Sequence, residues 1–177
     1  SCFPKDTRAI VDTASSFKTN LSIIKSVIKS NNERKLLLTK RVEKILNNKI
    51  RNKNITFLGV TFKPNTDDMR EAPSRVLIEK LVESGATINA YDPQASEEAR
   101  RLYPDEDALK IFSTANEALE QSNGLIVVTE WNEFRSPDFE FIKNKLIAPL
   151  ILDGRNLYDP ITLTEMGFSY FGIGRGK

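Results

Sequence analysis

The sequence predicts an α/β protein: a long helical N-terminal segment, then a mostly parallel sheet with helices on both faces. Three observations predict it. Apolar residues near the N-terminus repeat at helical spacing; short β-rich runs alternate with helical segments from residue 55 onward; and those runs are apolar on both faces. Of the 177 residues, 40% are apolar and 28% charged, the balance of a globular chain that buries its own core without a staple.

Ile10, Ala14, Phe17, Leu21, Ile24 and Ile28 step by four, three, four, three and four, with Val11 and Val27 broadening the stripe. This spacing predicts one long amphipathic helix. Leu36, Leu37, Leu38, Val42, Ile45 and Leu46 predict a second, with a break at Asn31 and Asn32, and residues 47–54 read as a basic linker. A long helix ahead of a domain needs a surface to cover its stripe, so Ile10, Phe17, Leu21 and Ile24 are expected at a homodimer contact.

Strands are expected at 55–60, 86–91, 125–129, 150–152 and 168–173, with a weaker one at 110–113. Helices are expected between them at 74–83, 97–102, 114–121 and 138–146. The result is a Rossmann-like unit over residues 54–177, preceded by a helical segment over residues 1–53. No further repeat or low-complexity tract interrupts it.

Composition removes several chemistries. There is no histidine and one cysteine, so His-based triads, HExxH zinc sites, haem His ligation, thiolate metal sites and internal disulfides are excluded, and no metal site is expected. Acid–base work falls to Asp, Glu, Lys or Tyr. The 26 basic and 24 acidic residues leave a net charge of +2, too little to argue for nucleic acid or an anionic membrane as partner. The local excess, eight Lys or Arg from Arg34 to Lys53, reads as a solvated helix face and loop. No apolar run approaches the roughly 18 residues of a membrane span. A reducing, cytoplasmic setting is the expectation, and the chain is expected to be the later part of a longer one.

In an open α/β sheet, ligands meet the carboxyl ends of the strands. After the first strand comes Gly59-Val60-Thr61-Phe62-Lys63-Pro64-Asn65-Thr66-Asp67-Asp68-Met69-Arg70, without the GxGxxG turn that cradles a dinucleotide. Lys63 and Arg70 supply cations suited to phosphate; the alternative for each is an ion pair with Asp67, Asp68 or Glu71. Asp92 sits where a ribose-binding acid would, although Asp92-Pro93 reads better as a turn. Trp131 is either core or cleft lining. Cys2 precedes Pro4, a first-turn residue, so it lies at a helix N-terminus beside Lys5, where dipole and cation both favour a thiolate. Asp6 adds a carboxylate able to orient water or accept a proton. Cys, Lys and Asp together outline covalent catalysis.

SCFPKD, GVTFKPNTDDMREAPS, YDP, VVTEWNEF, LDGRN and YFGIGRGK, in this order, resemble the UDP-glucose/GDP-mannose dehydrogenase family of nucleotide-sugar 6-dehydrogenases, over nearly the whole chain. The resemblance implies an upstream NAD-binding domain, a central dimerisation helix and a UDP-binding domain, of which the last two are here. It implies Cys2 as nucleophile, Lys5 as an NAD contact and Asp6 as the group assisting proton transfer or water activation. Phe62 and Lys63 are similar to the UDP-sugar contacts, Arg70 to an arginine reaching the NAD phosphates, and Arg155 to a further substrate-binding arginine. The implied reaction takes UDP-glucose at C6 to the carboxylate through a thiohemiacetal and a thioester on Cys2, with two NAD reduced. The chain alone is expected to be inactive. Phe3 and the TEWNEF segment favour UDP-glucose over GDP-mannose or a UDP-N-acetylhexosamine. Outside the dehydrogenase reading stand a nucleotide-binding module without catalysis and an oligomerisation fragment.

Overall fold

A strand with apolar side chains on both faces has to be covered twice, and all six predicted runs enter one wholly parallel sheet. The computed structural model describes residues 2–47, 49–104 and 109–175. Ser1 of the first motif and Gly176 and Lys177 of the last lie outside them, as does Asn48 of the linker. The strands are β1 (Asn54–Leu58), β2 (Thr87–Tyr91), β3 (Leu109–Ile111), β4 (Leu125–Val127), β5 (Leu150–Asp153) and β6 (Ser169–Gly172), ordered β3-β2-β1-β4-β5-β6. The chain runs outward from β1, then returns to lay β4 on its other side. This makes the β1/β4 boundary the point where a crevice opens at the carboxyl ends.

Phe57 and Leu58 show why both faces are covered: neighbours on β1, they belong to opposite layers and are almost wholly buried. On one side Ile55, Phe57, Ile88, Ala90, Ile126 and Leu152 pack under α2 (Ser22–Ile45), α3 (Pro73–Glu83) and α4 (Ser96–Leu102), through Val42, Leu77, Ile78, Leu81 and Ala99. On the other, Leu58, Leu125, Val127 and Ile151 meet Leu119, Phe134, Ile142, Leu163 and Phe168, brought by α5 (Ala115–Ala118), α6 (Phe139–Lys145), α7 (Pro160–Glu165) and the segments beside them. α7 was not among the expected helices. Its signal is Asp159-Pro160: the carboxylate accepts from Thr162 N–H at 2.9 Å and the proline occupies the first turn.

The N-terminal helix differs from the expectation. Instead of one helix over 10–28 and a break at Asn31 and Asn32, α1 (Cys2–Ser16) stops early and α2 runs through both asparagines. Lys18 adopts a left-handed backbone, φ 55°, while Thr19 N–H donates to Ala14 C=O at 2.8 Å and Lys18 N–H to Ser15 C=O at 3.0 Å. These paired bonds satisfy the last carbonyls of α1 and turn the chain back. The reversal sets Phe3, Thr7 and Arg8 opposite Ile28 and Asn32. Val11, Ala14, Leu21, Ile24 and Ile28 are consequently half-buried within the chain, whereas Ile10, Phe17 and Ile23 stay exposed. The linker is not simply basic and solvated either, because Ile50 joins the core and Asn52 N–H donates to Gly85 C=O at 2.8 Å.

Candidate functional site

Where the strand order reverses, the carboxyl ends of the sheet and the face of α2 enclose a cleft of about 680 Å³, within the size range of small-molecule sites. Phe62 enters it from the β1–α3 loop, Val128 from the end of β4, Gly154 and Arg155 from the end of β5, and Ile173 from the end of β6. Phe3 and Pro4, directly after Cys2, close it from α1. Arg34, Lys35, Arg41, Arg70 and Arg155 line it against a single carboxylate, Glu71. Such a wall suits a polyanion, and the apolar surfaces of Leu37, Leu38 and Val128 suit a ring.

The β1–α3 loop is shaped by groups far away in sequence. Asp92, only 2% exposed at the end of β2, accepts from Val60 N–H at 2.8 Å, Gln94 N–H and Ala95 N–H at 3.0 Å each, and Trp131 Nε1–H at 3.1 Å. Asp92 therefore organises the turn rather than offering itself to a ribose, and Trp131, buried, is core. Asp92 occupies the Val60 amide at the start of the β1–α3 loop, and that loop lacks the glycine turn that cradles a dinucleotide, so it does not offer NAD the usual pyrophosphate site. Gly59, at φ +84°, packs so closely on Thr129 that a Cβ would lie 2.4 Å from the threonine Cβ. Thr129 in turn donates its hydroxyl to Thr61 C=O at 2.6 Å, and the Ser74 hydroxyl donates to Val60 C=O. The loop leaves the sheet with little freedom.

Three groups of charges pair in and around the loop. Arg70 donates to both carboxylate oxygens of Asp68, at 3.0 and 2.9 Å, and its own side chain remains 78% exposed. Arg155 donates to Glu130, to the Phe62 carbonyl at 3.2 Å, and through its backbone N–H to the fully buried Asp153 at 3.0 Å. Glu71 accepts from Arg8 at 2.9 and 3.2 Å and from Lys35 at 2.7 Å. Hydrogen bonds from Arg8, then from Lys35, hold the Glu71 carboxyl down at about 2 instead of 4.5. Because the folded value lies below the unfolded one, this interaction stabilises the fold above pH 4.5 and is lost as pH falls towards 2. For a partly exposed carboxylate the loss is on the order of 1 kcal/mol after solvent screening. Urea titrations at pH 7 and pH 2.5 should show that component in the wild type and lack it in Glu71→Gln; equal falls in both proteins would refute it.

Of the residues singled out in the sequence, Phe62, Arg70 and Arg155 meet in the cleft. Cys2, exposed and unpaired as a thiol, begins α1 at its mouth, beside Phe3. Lys63 is exposed and lies 5.3 Å from the centre of the Phe62 ring. Lys5 and Asp6 do not line the cleft; they pair with each other at 3.5 Å on the solvent side. Arg34, Lys35 and Arg41 are the residues that sequence reasoning missed, having assigned their run to a solvated face. Positions 34, 38 and 41 step by four and three, so their common helical face was visible, but not what it would meet. Arg34 and Arg41 have no acidic partner among the described residues, which leaves their charge for a ligand.

Among the described residues, no helix is long and apolar enough to cross a membrane. Residues 56–160 match the UDP-binding domain of the UDP-glucose/GDP-mannose dehydrogenase family. A UDP-glucose 6-dehydrogenase of Pseudomonas aeruginosa is 39% identical over 180 residues, covering 100% of this chain and 40% of that protein. One from Rhizobium meliloti is 39% identical over 175 residues, covering 99% and 39%. Among solved structures, a UDP-glucose dehydrogenase from Pyrobaculum islandicum superposes with a TM-score of 0.80 at 29% identity, over 98% of this chain and 37% of that one. The chain thus spans about 40% of the length of the relatives it matches.

Proposed function

Because the chain belongs to the UDP-glucose/GDP-mannose dehydrogenase family and carries its UDP-binding domain, we propose that it serves the NAD-dependent oxidation of UDP-glucose to UDP-glucuronate. The observation that carries this reading is the cationic cleft at the carboxyl ends of the sheet, with Cys2 directly before the lining residues Phe3 and Pro4. In this reading residues 54–177 hold UDP and residues 1–53 supply the nucleophile and the dimer contact. Exposed Ile10, Phe17 and Ile23 support self-association by leaving apolar surface on the hairpin. This reading expects a reducing, cytoplasmic setting, which keeps the Cys2 thiol free.

Phe62, Arg155 and the α2 arginines Arg34 and Arg41 hold the nucleotide and its diphosphate, directing the sugar towards α1. NAD, when bound, supplies the hydride acceptor for two oxidations; the exposed Arg70 and Lys5 fit its phosphates approaching from outside the cleft. The Cys2 thiolate adds to the C6 aldehyde and gives a thiohemiacetal, which retains the reactive carbonyl on the protein. After the second oxidation the carbon is a thioester. Water oriented by Asp6 then attacks it, releasing the carboxylate and returning the thiolate.

Binding is testable with the chain itself. Calorimetry should show UDP binding, and Arg155→Ala should weaken it about tenfold or more, since a charge-assisted contact contributes about 1.5–3 kcal/mol. No heat of binding at millimolar UDP would remove the nucleotide reading.

A further inference from the structure

The helix that carries Cys2 has no buried residue. Apolar burial therefore does little to fix its height above the cleft, although a nucleophile must meet its carbon within a fraction of an ångström. Besides its packing along α2, α1 makes one salt bridge to the sheet unit among the described residues. Arg8, six residues and about 9 Å along the helix axis from Cys2, donates to both carboxylate oxygens of Glu71. Lys35 of α2, its side chain only 14% exposed, donates to the same carboxylate. Glu71 thus joins both arms of the helical hairpin to the loop that bears Phe62 and Arg70.

The backbone at Glu71 adds a second observation. Its φ of 56° lies in the left-handed region, where a residue with a Cβ is strained. Glycine would relieve that strain, but glycine has no carboxylate. The position keeps a strained acid in the wall of a cleft whose other charged residues are all cations.

We propose that Glu71 is a positioning residue: by bridging Arg8 and Lys35 it holds the Cys2 end of α1 over the nucleotide cleft, so that a bound nucleotide sugar reaches the sulfur. This rests on the nucleotide-sugar reading above. It separates nucleotide binding, which Glu71 leaves to the cations, from access to Cys2, which Glu71 controls. The contact is reciprocal, so removing either Arg8 or Glu71 has the same consequence.

Cys2 is the chain's only cysteine, which makes its alkylation an unambiguous readout. Wild type, Arg8→Gln, Glu71→Gln and the double variant are treated with iodoacetamide, with and without saturating UDP-glucose, and followed by intact-mass spectrometry. UDP-glucose affinity is measured on the same samples by calorimetry. The expected result is protection of Cys2 in the wild type that falls about fivefold or more in each single variant, with affinity within about threefold and the double variant no worse than either single. A fold defect alone would lower affinity and protection together. Unchanged protection, or single effects that multiply in the double variant, would overturn the proposal. Absence of UDP-glucose binding by the wild type would instead overturn the nucleotide reading, and the positioning role with it. In the full-length parent, Glu71→Gln should lower kcat at unchanged KM; a rise in KM alone would count against the proposal.

Discussion

On the proposed reaction, replacing Cys2 by Ser in a protein that joins this chain to an NAD-binding domain is expected to reduce turnover of UDP-glucose to the acid by on the order of 10³ or more, with substrate affinity changed by less than about threefold. Cys2 is exposed at the start of α1 and packs into no core, so a nearly isosteric hydroxyl removes the nucleophile and little else. A hydroxyl is far less acidic than a thiol, and an ester resolves more slowly than a thioester. Asp6→Asn is the complementary change: capture proceeds, hydrolysis slows, and intact-mass spectrometry should show an adduct on Cys2 when substrate and NAD are supplied. Wild-type rates in Cys2→Ser, or an adduct mapped elsewhere, would show that another group is the nucleophile.

Asp92→Ala is expected to cost about 4 kcal/mol of stability, because it strands several buried donors at once and each bond to a charged group is worth about 1.5–3 kcal/mol. The buried groups orphaned would be the amides of Val60 and Ala95 and the Trp131 indole, while the part-buried Gln94 amide would turn to water. Asp92→Asn keeps one acceptor but turns an amide NH₂ towards donors, so about half that loss is expected. Urea denaturation measures both. A loss under about 1 kcal/mol in the alanine variant would mean that water replaces the carboxylate and that the turn is not held by it. UDP affinity should fall with stability, since Phe62 follows the amides that Asp92 fixes.

The central strands were legible because each is a short apolar run whose burial on both faces predicts a mostly parallel sheet, whereas the edge strands β3 and β6 carry polar, exposed residues and a weaker signal. Arg70 was legible as a cation near a strand end, and strand ends converge on one edge of such a sheet, whereas Phe62 and Arg155 were singled out by the family resemblance. Their roles in a reaction came from resemblance.

What the sequence determined by itself was therefore the class of fold, the places of its strands and most of its helices, and the loops that would carry the site. Local periodicity and turn chemistry act within a few residues, and they are written in the chain. Only the tertiary structure decided that the heptad stripe closes on itself at Lys18, that Trp131 joins Asp92 in the core, and that Arg34, Lys35 and Arg41 wall the cleft. Those outcomes depend on which surfaces meet across long separations, 36 residues between Lys35 and Glu71 and 93 between Arg155 and Phe62. No local pattern encodes such a meeting; it follows from how the packed layers cross.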